Sequence, residues 1–153
     1  MTVLVTGLTA KGQDKSPEEV KKLIELQNYI FKAEMVYPQS GRSRILTTDY
    51  DITITRDTII SDLPYFGRAY VAPVDPTQGG IKFTSTDFDY TSSKKKKTWE
   101  ITIKPKDAPD VQEMYLSIFD NGTANLSVTN TNRQNISFKG YIKEGKQSEK
   151  KAF

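Results

Sequence analysis

The sequence predicts a mainly β fold: a single antiparallel meander of about eight strands, closed as an up-and-down barrel or split into a two-sheet sandwich, with one N-terminal helix. Three observations carry this expectation. From Tyr29 onward, apolar and polar residues alternate with a period of two. Turn-forming clusters separate the alternating runs at short intervals. No helical pattern lies between those runs, so βαβ units and the parallel nucleotide-binding sheet they build are not expected.

The helix comes first, in "SPEEVKKLIELQN". Ser16 is suited to cap it, Pro17 to enter its first turn, and Glu19 to complete a capping box. Val20, Leu23, Ile24 and Gln27 share one face, with Lys21, Lys22 and Glu25 on the other, which predicts a helix over 16–28.

The strands follow in order. "YIFKAEMVY" sets Tyr29, Phe31, Ala33, Met35 and Tyr37 on one face, and "ILTTDYDITI" sets Leu46, Tyr50, Ile52 and Ile54 opposite Asp49 and Asp51. "TIISDL" adds a strand before the longest break in the meander. "TWEITIK" turns Trp99, Ile101 and Ile103 one way, and "MYLSIF" does the same with Met114, Leu116 and Ile118. In "ANLSV" the inward set is Ala124, Leu126 and Val128, and in "ISFKGYI" it is Ile136, Phe138 and Ile142. Hairpin chemistry falls at 56–58, 92–97, 106–110, 120–122 and 130–134.

A chain of 153 residues is sized for one domain, which buries roughly 68–70% of its unfolded surface without needing staples. The reading places that domain at 13–142. Residues 1–12, "MTVLVTGLTAKG", read as a shortened export signal, with Ala10 and Gly12 two apart before Gln13. If that signal is genuine the protein is periplasmic or otherwise exported; if the first Met is the authentic start, it is cytoplasmic. Residues 143–153 are charged and poor in core residues, which predicts a disordered tail. No apolar run reaches the roughly 20 residues needed to span a bilayer.

Chemistry is bounded mainly by what the sequence lacks. With no cysteine and no histidine there is no thiolate, no imidazole base and no Ser-His or Cys-His triad. Carboxylates, lysines, tyrosines or an oxygen-bound metal remain. The net charge of +3, from 22 basic and 19 acidic residues, is too mild to mark a nucleic-acid binder. "KKKK" at 94–97 reads as a solvated hairpin tip that discourages edge pairing. Asp49 with Asp51, and Asp87 with Asp89, share strand faces but lack the oxygen count and bent loop of a calcium site, so they read as solvent-facing. "NGT", "NLS" and "NIS" read as turn and strand residues. No metal and no cofactor is expected.

One stretch stands out: "SDLPYFGRAYVAP", residues 61–73, which groups Tyr65, Phe66 and Tyr70 around Gly67 and Arg68. As a structural corner, Tyr65 and Phe66 fill the end of the core and Arg68 pairs with a carboxylate. As a site, Tyr65, Phe66, Arg68 and Tyr70 form a ligand-binding wall with the 72–80 loop as its rim, suited to an anionic or sugar-like ligand.

"LPYFGRAY", together with "YPQSGRSRILTTDYDITI", "GGIKF", "KKKKTWEITIKPKD" and "RQNISFKGYI", resembles the bacterial family called domain of unknown function 4251. The likeness runs from about residue 17 to 142. It implies a small exported envelope protein with no assigned activity, and the family's usual N-terminal signal is shortened here. The functional expectation is a non-enzymatic binding or interaction module whose partner is a small ligand or another envelope protein. Its alternatives are a carboxylate-dependent enzyme such as a hydrolase, and a purely structural accessory subunit.

Overall fold

A computed structural model describes residues 15–39, 42–65, 80–131 and 133–145. The helix α1 (Pro17–Leu26) is followed by nine strands: β1 (Tyr29–Pro38), β2 (Arg44–Ile54), β3 (Ile59–Leu63), β4 (Ile81–Ser85), β5 (Phe88–Lys95), β6 (Thr98–Pro105), β7 (Val111–Phe119), β8 (Thr123–Asn130) and β9 (Ile136–Glu144). All nine form one sheet in the order β4-β3-β2-β1-β9-β8-β7-β6-β5, and every pairing is antiparallel. The sheet curls into a nearly closed barrel, so the barrel expectation holds over the sandwich, with nine described strands rather than about eight. Pairing of β1 with β9 joins the two ends of the meander, and the seam falls between β4 and β5.

Alternation puts the core inside. Ile101 and Ile103 of β6, Met114, Leu116 and Ile118 of β7, Leu126 and Val128 of β8, and Ile136, Phe138 and Ile142 of β9 are all buried. From the other half come Tyr29, Phe31, Ile52, Ile54, Ile59, Leu63 and Ile81. Each large side chain removed from water contributes about 1.5–3 kcal/mol. Ser61, the polar member of the inward row of β3, is tolerated because its hydroxyl donates to the carbonyl of Ile81 at 2.7 Å.

The helix closes one end of the barrel. Ser16 and Glu19 form the reciprocal capping box, and Gln27 ends the helix in the left-handed conformation with φ 53°. Val20, Leu23 and Ile24 face the core. Polar contacts fix the helix to turns at the same end: the Gln27 amide donates to the Thr55 carbonyl at 3.2 Å, and the Lys15 N–H to the Asn121 carbonyl at 2.9 Å. The opposite end carries the longer connections, between β1 and β2, β3 and β4, and β8 and β9.

Three local features depart from the sequence reading. A bulge between Ala33 and Met35 shifts the register of β1, so Val36 is buried while Tyr37 turns to the outside at 39% exposure. The lysine run is not wholly a turn: Lys94 and Lys95 belong to β5, and the tip is the pair Lys96 and Lys97. β9 reaches Glu144, and the Gly145 N–H donates to the Asn28 carbonyl at 3.2 Å, so the first residues of the expected tail are structured. The expected signal at 1–12 and the tail from 146 lie outside the described residues.

Candidate functional site

Of the four residues singled out in "SDLPYFGRAYVAP", Tyr65 is described, while Phe66, Arg68 and Tyr70 lie outside the described residues. Tyr65 follows β3 at the end of the barrel away from α1. Its half-buried ring packs against the core, and its hydroxyl donates to the Gln134 carbonyl at 2.8 Å. The guanidinium of Arg133, from the β8–β9 connection, lies 4.2 Å from the ring centroid. Arg133 also donates from Nη2 to the Gly80 carbonyl at 2.9 Å. Burial pulls the Arg133 pKa below its ordinary value, offset by Tyr65 and Asp110 nearby. Tyr65, Arg133 and Gly80 therefore clamp the two ends of the long β3–β4 connection to the β8–β9 connection.

A second arrangement lies on the outer wall. Tyr37 of β1, Phe119 of β7, Thr123 and Asn125 of β8 and Lys139 of β9 border an open groove of about 620 Å³, together with Lys97, Asp120 and Asn121 from the adjoining turns. Phe119 and Tyr37 are 37% and 39% exposed, so both rings are open to a ligand in the groove. Asn121 shapes the turn by accepting from the Thr123 N–H and hydroxyl at 3.1 and 2.9 Å. Asp120 is engaged by Lys94 at 3.7 Å. Lys97 and Lys139 form no ion pair among the described residues. Sequence reasoning missed this groove because the bulge in β1 had to turn Tyr37 outward first. Phe119 was visible, standing on the wet face of "MYLSIF" with Tyr115 and Ser117.

Smaller recesses flank α1, two of them shared with other elements. One, of about 410 Å³, lies between the helix start and the β5–β6 hairpin, where Lys94 stands 5.8 Å over the Trp99 ring. The other, of about 330 Å³, runs along Lys22 and Leu26 to Asn28 and Gly145.

The carboxylates with shifted pKa values, Glu19, Asp49, Glu100 and Asp107, are all lowered, and they stand on separate elements. Hydrogen bonding is the leading cause in each: the Ser16 backbone for Glu19, Lys32 for Asp49, Tyr115 for Glu100 and Ser85 for Asp107. This is the behaviour of satisfied surface anions, whereas an acid/base couple needs one member pushed up. Asp49 pairs with Lys32 at 2.8 Å and Asp89 with Lys106 at 3.5 Å, so both acidic pairs contain a member committed to a lysine. Among the described residues no helix is long and apolar enough to cross a membrane.

Comparison with known proteins agrees with the barrel. A crystal structure of a DUF4251 family protein from Bacteroides eggerthii is similar, with a TM-score of 0.56 at 12% identity over 84% of this chain and 87% of that one. At that identity the likeness concerns the fold. No curated protein matches the chain. The family model for the domain of unknown function (DUF4251) matches residues 11–142, and the chain belongs to that family.

Proposed function

We propose that this chain is a non-enzymatic binding module of the cell envelope, exported through the segment at its N-terminus, and that it takes its ligand on the outer wall. The observation that carries the reading is the groove between Tyr37 and Phe119, where exposed aromatic rings stand beside two lysines that form no ion pair among the described residues. Binding sites combine apolar floor with a few polar groups that fix orientation, and this groove has both. In this reading Tyr65 belongs to the structural corner. Both the ring and the hydroxyl of Tyr65 are already engaged by Arg133 and Gln134.

The test is a thermal-shift screen against sugars, fatty acids, small anions and cell-wall fragments, run on the protein and on a Tyr37→Ala/Phe119→Ala double variant. A ligand at about a hundred times its dissociation constant stabilises by about 2.7 kcal/mol. A stabilising compound whose effect disappears in the double variant supports the reading. Stabilisation that survives in it, or no shift with any compound, overturns it. Cell fractionation checks the location, and recovery of the protein with the cytoplasm would refute export.

A further inference from the structure

We propose that the outer-wall groove recognises an acidic saccharide, a chain of sugar rings carrying carboxylates. The inference rests on the reading of this groove as the ligand surface, and it adds the chemical class.

The argument begins with what the main chain withholds. β8 is hydrogen-bonded on both sides, to β7 and β9, and β9 to β8 and β1. A peptide that binds a sheet as an added strand needs unpaired backbone groups at an edge. Here the groove crosses the middle of the sheet, and recognition falls to side chains. From Phe119 on β7 to Tyr37 on β1 the groove crosses three strand spacings, roughly 14 Å sideways, and runs obliquely as well, because the registers set Tyr37 level with Tyr115 rather than with Phe119. That length suits a short run of rings rather than one small ion.

The side chains then select the occupant. Phe119 and Tyr37 offer flat apolar faces at the two ends, matched to the C–H faces of pyranose rings. Asn125 adds an amide to the lining, and the Asn121 side-chain NH2 remains to donate while its oxygen holds the Thr123 N–H and hydroxyl. Asp120 is the acidic group of the lining, and Lys94 engages it from outside the groove at 3.7 Å. Lys97 and Lys139 thus leave a positive surplus. Lysine is a point charge rather than a planar fork, so it matches carboxylates spaced along a chain without demanding one bidentate geometry.

Isothermal titration calorimetry of the full chain with trigalacturonate and sialyllactose, with their methyl esters and with pentaglutamate, tests this. The acidic sugars are expected to bind at least tenfold more tightly than the esters and the peptide, and to weaken severalfold as salt shortens the screening length. Lys97→Gln/Lys139→Gln is expected to lose at least tenfold in affinity while its melting temperature is unchanged, because both side chains are exposed. Equal binding of the esters would make the site a neutral-sugar site and overturn the proposal. Equal binding of pentaglutamate would overturn it in favour of an acidic peptide, and absence of binding to either acidic sugar would overturn it outright. In each of those cases the groove itself stands if another compound loses its effect in the Tyr37→Ala/Phe119→Ala variant.

Discussion

The phenol oxygens of Tyr29 and Tyr90 lie 2.7 Å apart inside the barrel, joining β1 at the middle of the sheet to β5 at its end. Burial raises the Tyr29 pKa well above the ordinary 10.0, helped by Tyr90, and burial also raises that of Tyr90. The pair therefore resists ionisation in the folded state. The unfolded chain gives up these protons near pH 10 and the native chain does not. The stabilisation is complete below about pH 10 and is lost as pH rises above it, by up to about 1.4 kcal/mol per pH unit for each group. Tyr29→Phe should cost about 1–2 kcal/mol at neutral pH, because the Tyr90 hydroxyl loses its partner, and should make the alkaline decline shallower. Urea unfolding from about pH 7 to about pH 11 measures both effects. An unchanged alkaline slope would show that this pair does not govern it.

Gly140 sits opposite Ala33, where the bulge in β1 begins. A Cβ placed there would stand 1.7 Å from the carbonyl oxygen of Lys32 and 2.8 Å from its carbon. The obstacle is backbone in the middle of the sheet, so no side-chain rotation relieves it. Overpacking a well-filled core usually costs about 1–3 kcal/mol, and Gly140→Ala should cost at least the upper end of that range. Thermal melting checks it. A loss below about 1 kcal/mol would mean that β1 and β9 part freely at this point.

These two sites mark where the sequence was legible and where it was not. In β6, β8, β9 and β7 from Met114 onward, past its own register shift between Val111 and Glu113, alternation is clean, and the inward residues read there, from Ile101 to Ile142, are the buried ones. In β1 the run "AEMVY" has too little polar contrast to reveal an inserted residue, and a one-residue shift moves every later side chain to the other face. The one sign of it lay on the facing strand, a glycine inside the alternating run "ISFKGYI". The groove residues come from β1, β7, β8, β9 and the turns beside them, and only the strand order brings Tyr37 near Phe119. Tyr65 was legible as an aromatic corner, but the arginine described on its ring is Arg133, 68 positions away, where no local pattern pointed.

That corner yields its own comparison. Tyr65→Phe keeps the ring beneath Arg133 and removes the hydrogen bond to Gln134, a loss of about 1 kcal/mol. Arg133→Ala removes the stacking and the bond to the Gly80 carbonyl together, and should cost about 2–3 kcal/mol. Arg133→Lys should recover only part, since an ammonium cannot lie flat on the ring while reaching the same carbonyl. Urea denaturation of the three variants ranks them. Surface substitutions away from special features stay within about 0.5 kcal/mol, and an Arg133→Ala value in that range would remove the clamp from the account of the fold.

On the outer wall Glu100 gathers three hydroxyl donors: Tyr115, Ser117 at 2.9 Å and Thr98 at 2.9 Å. The Tyr115 bond is the leading reason that the Glu100 pKa lies below the ordinary 4.5, against a smaller opposing effect of burial. A carboxylate lowered in this way stabilises the fold above its unfolded pKa, and the contribution disappears as pH falls through the native value. Because Glu100 is only partly buried, the sensitive readout is its own titration, followed by NMR of the side-chain carboxyl, rather than global stability. Tyr115→Phe should move that titration up toward 4.5, and Ser117→Ala should move it less. A Glu100 that titrates identically in the protein and in Tyr115→Phe would show that the phenol is not held there. The result also bears on the groove. Tyr115 and Phe119 share the wet face of β7, and a phenol tied to Glu100 is committed within the sheet, leaving Phe119 and Tyr37 as the rings a ligand can stack upon.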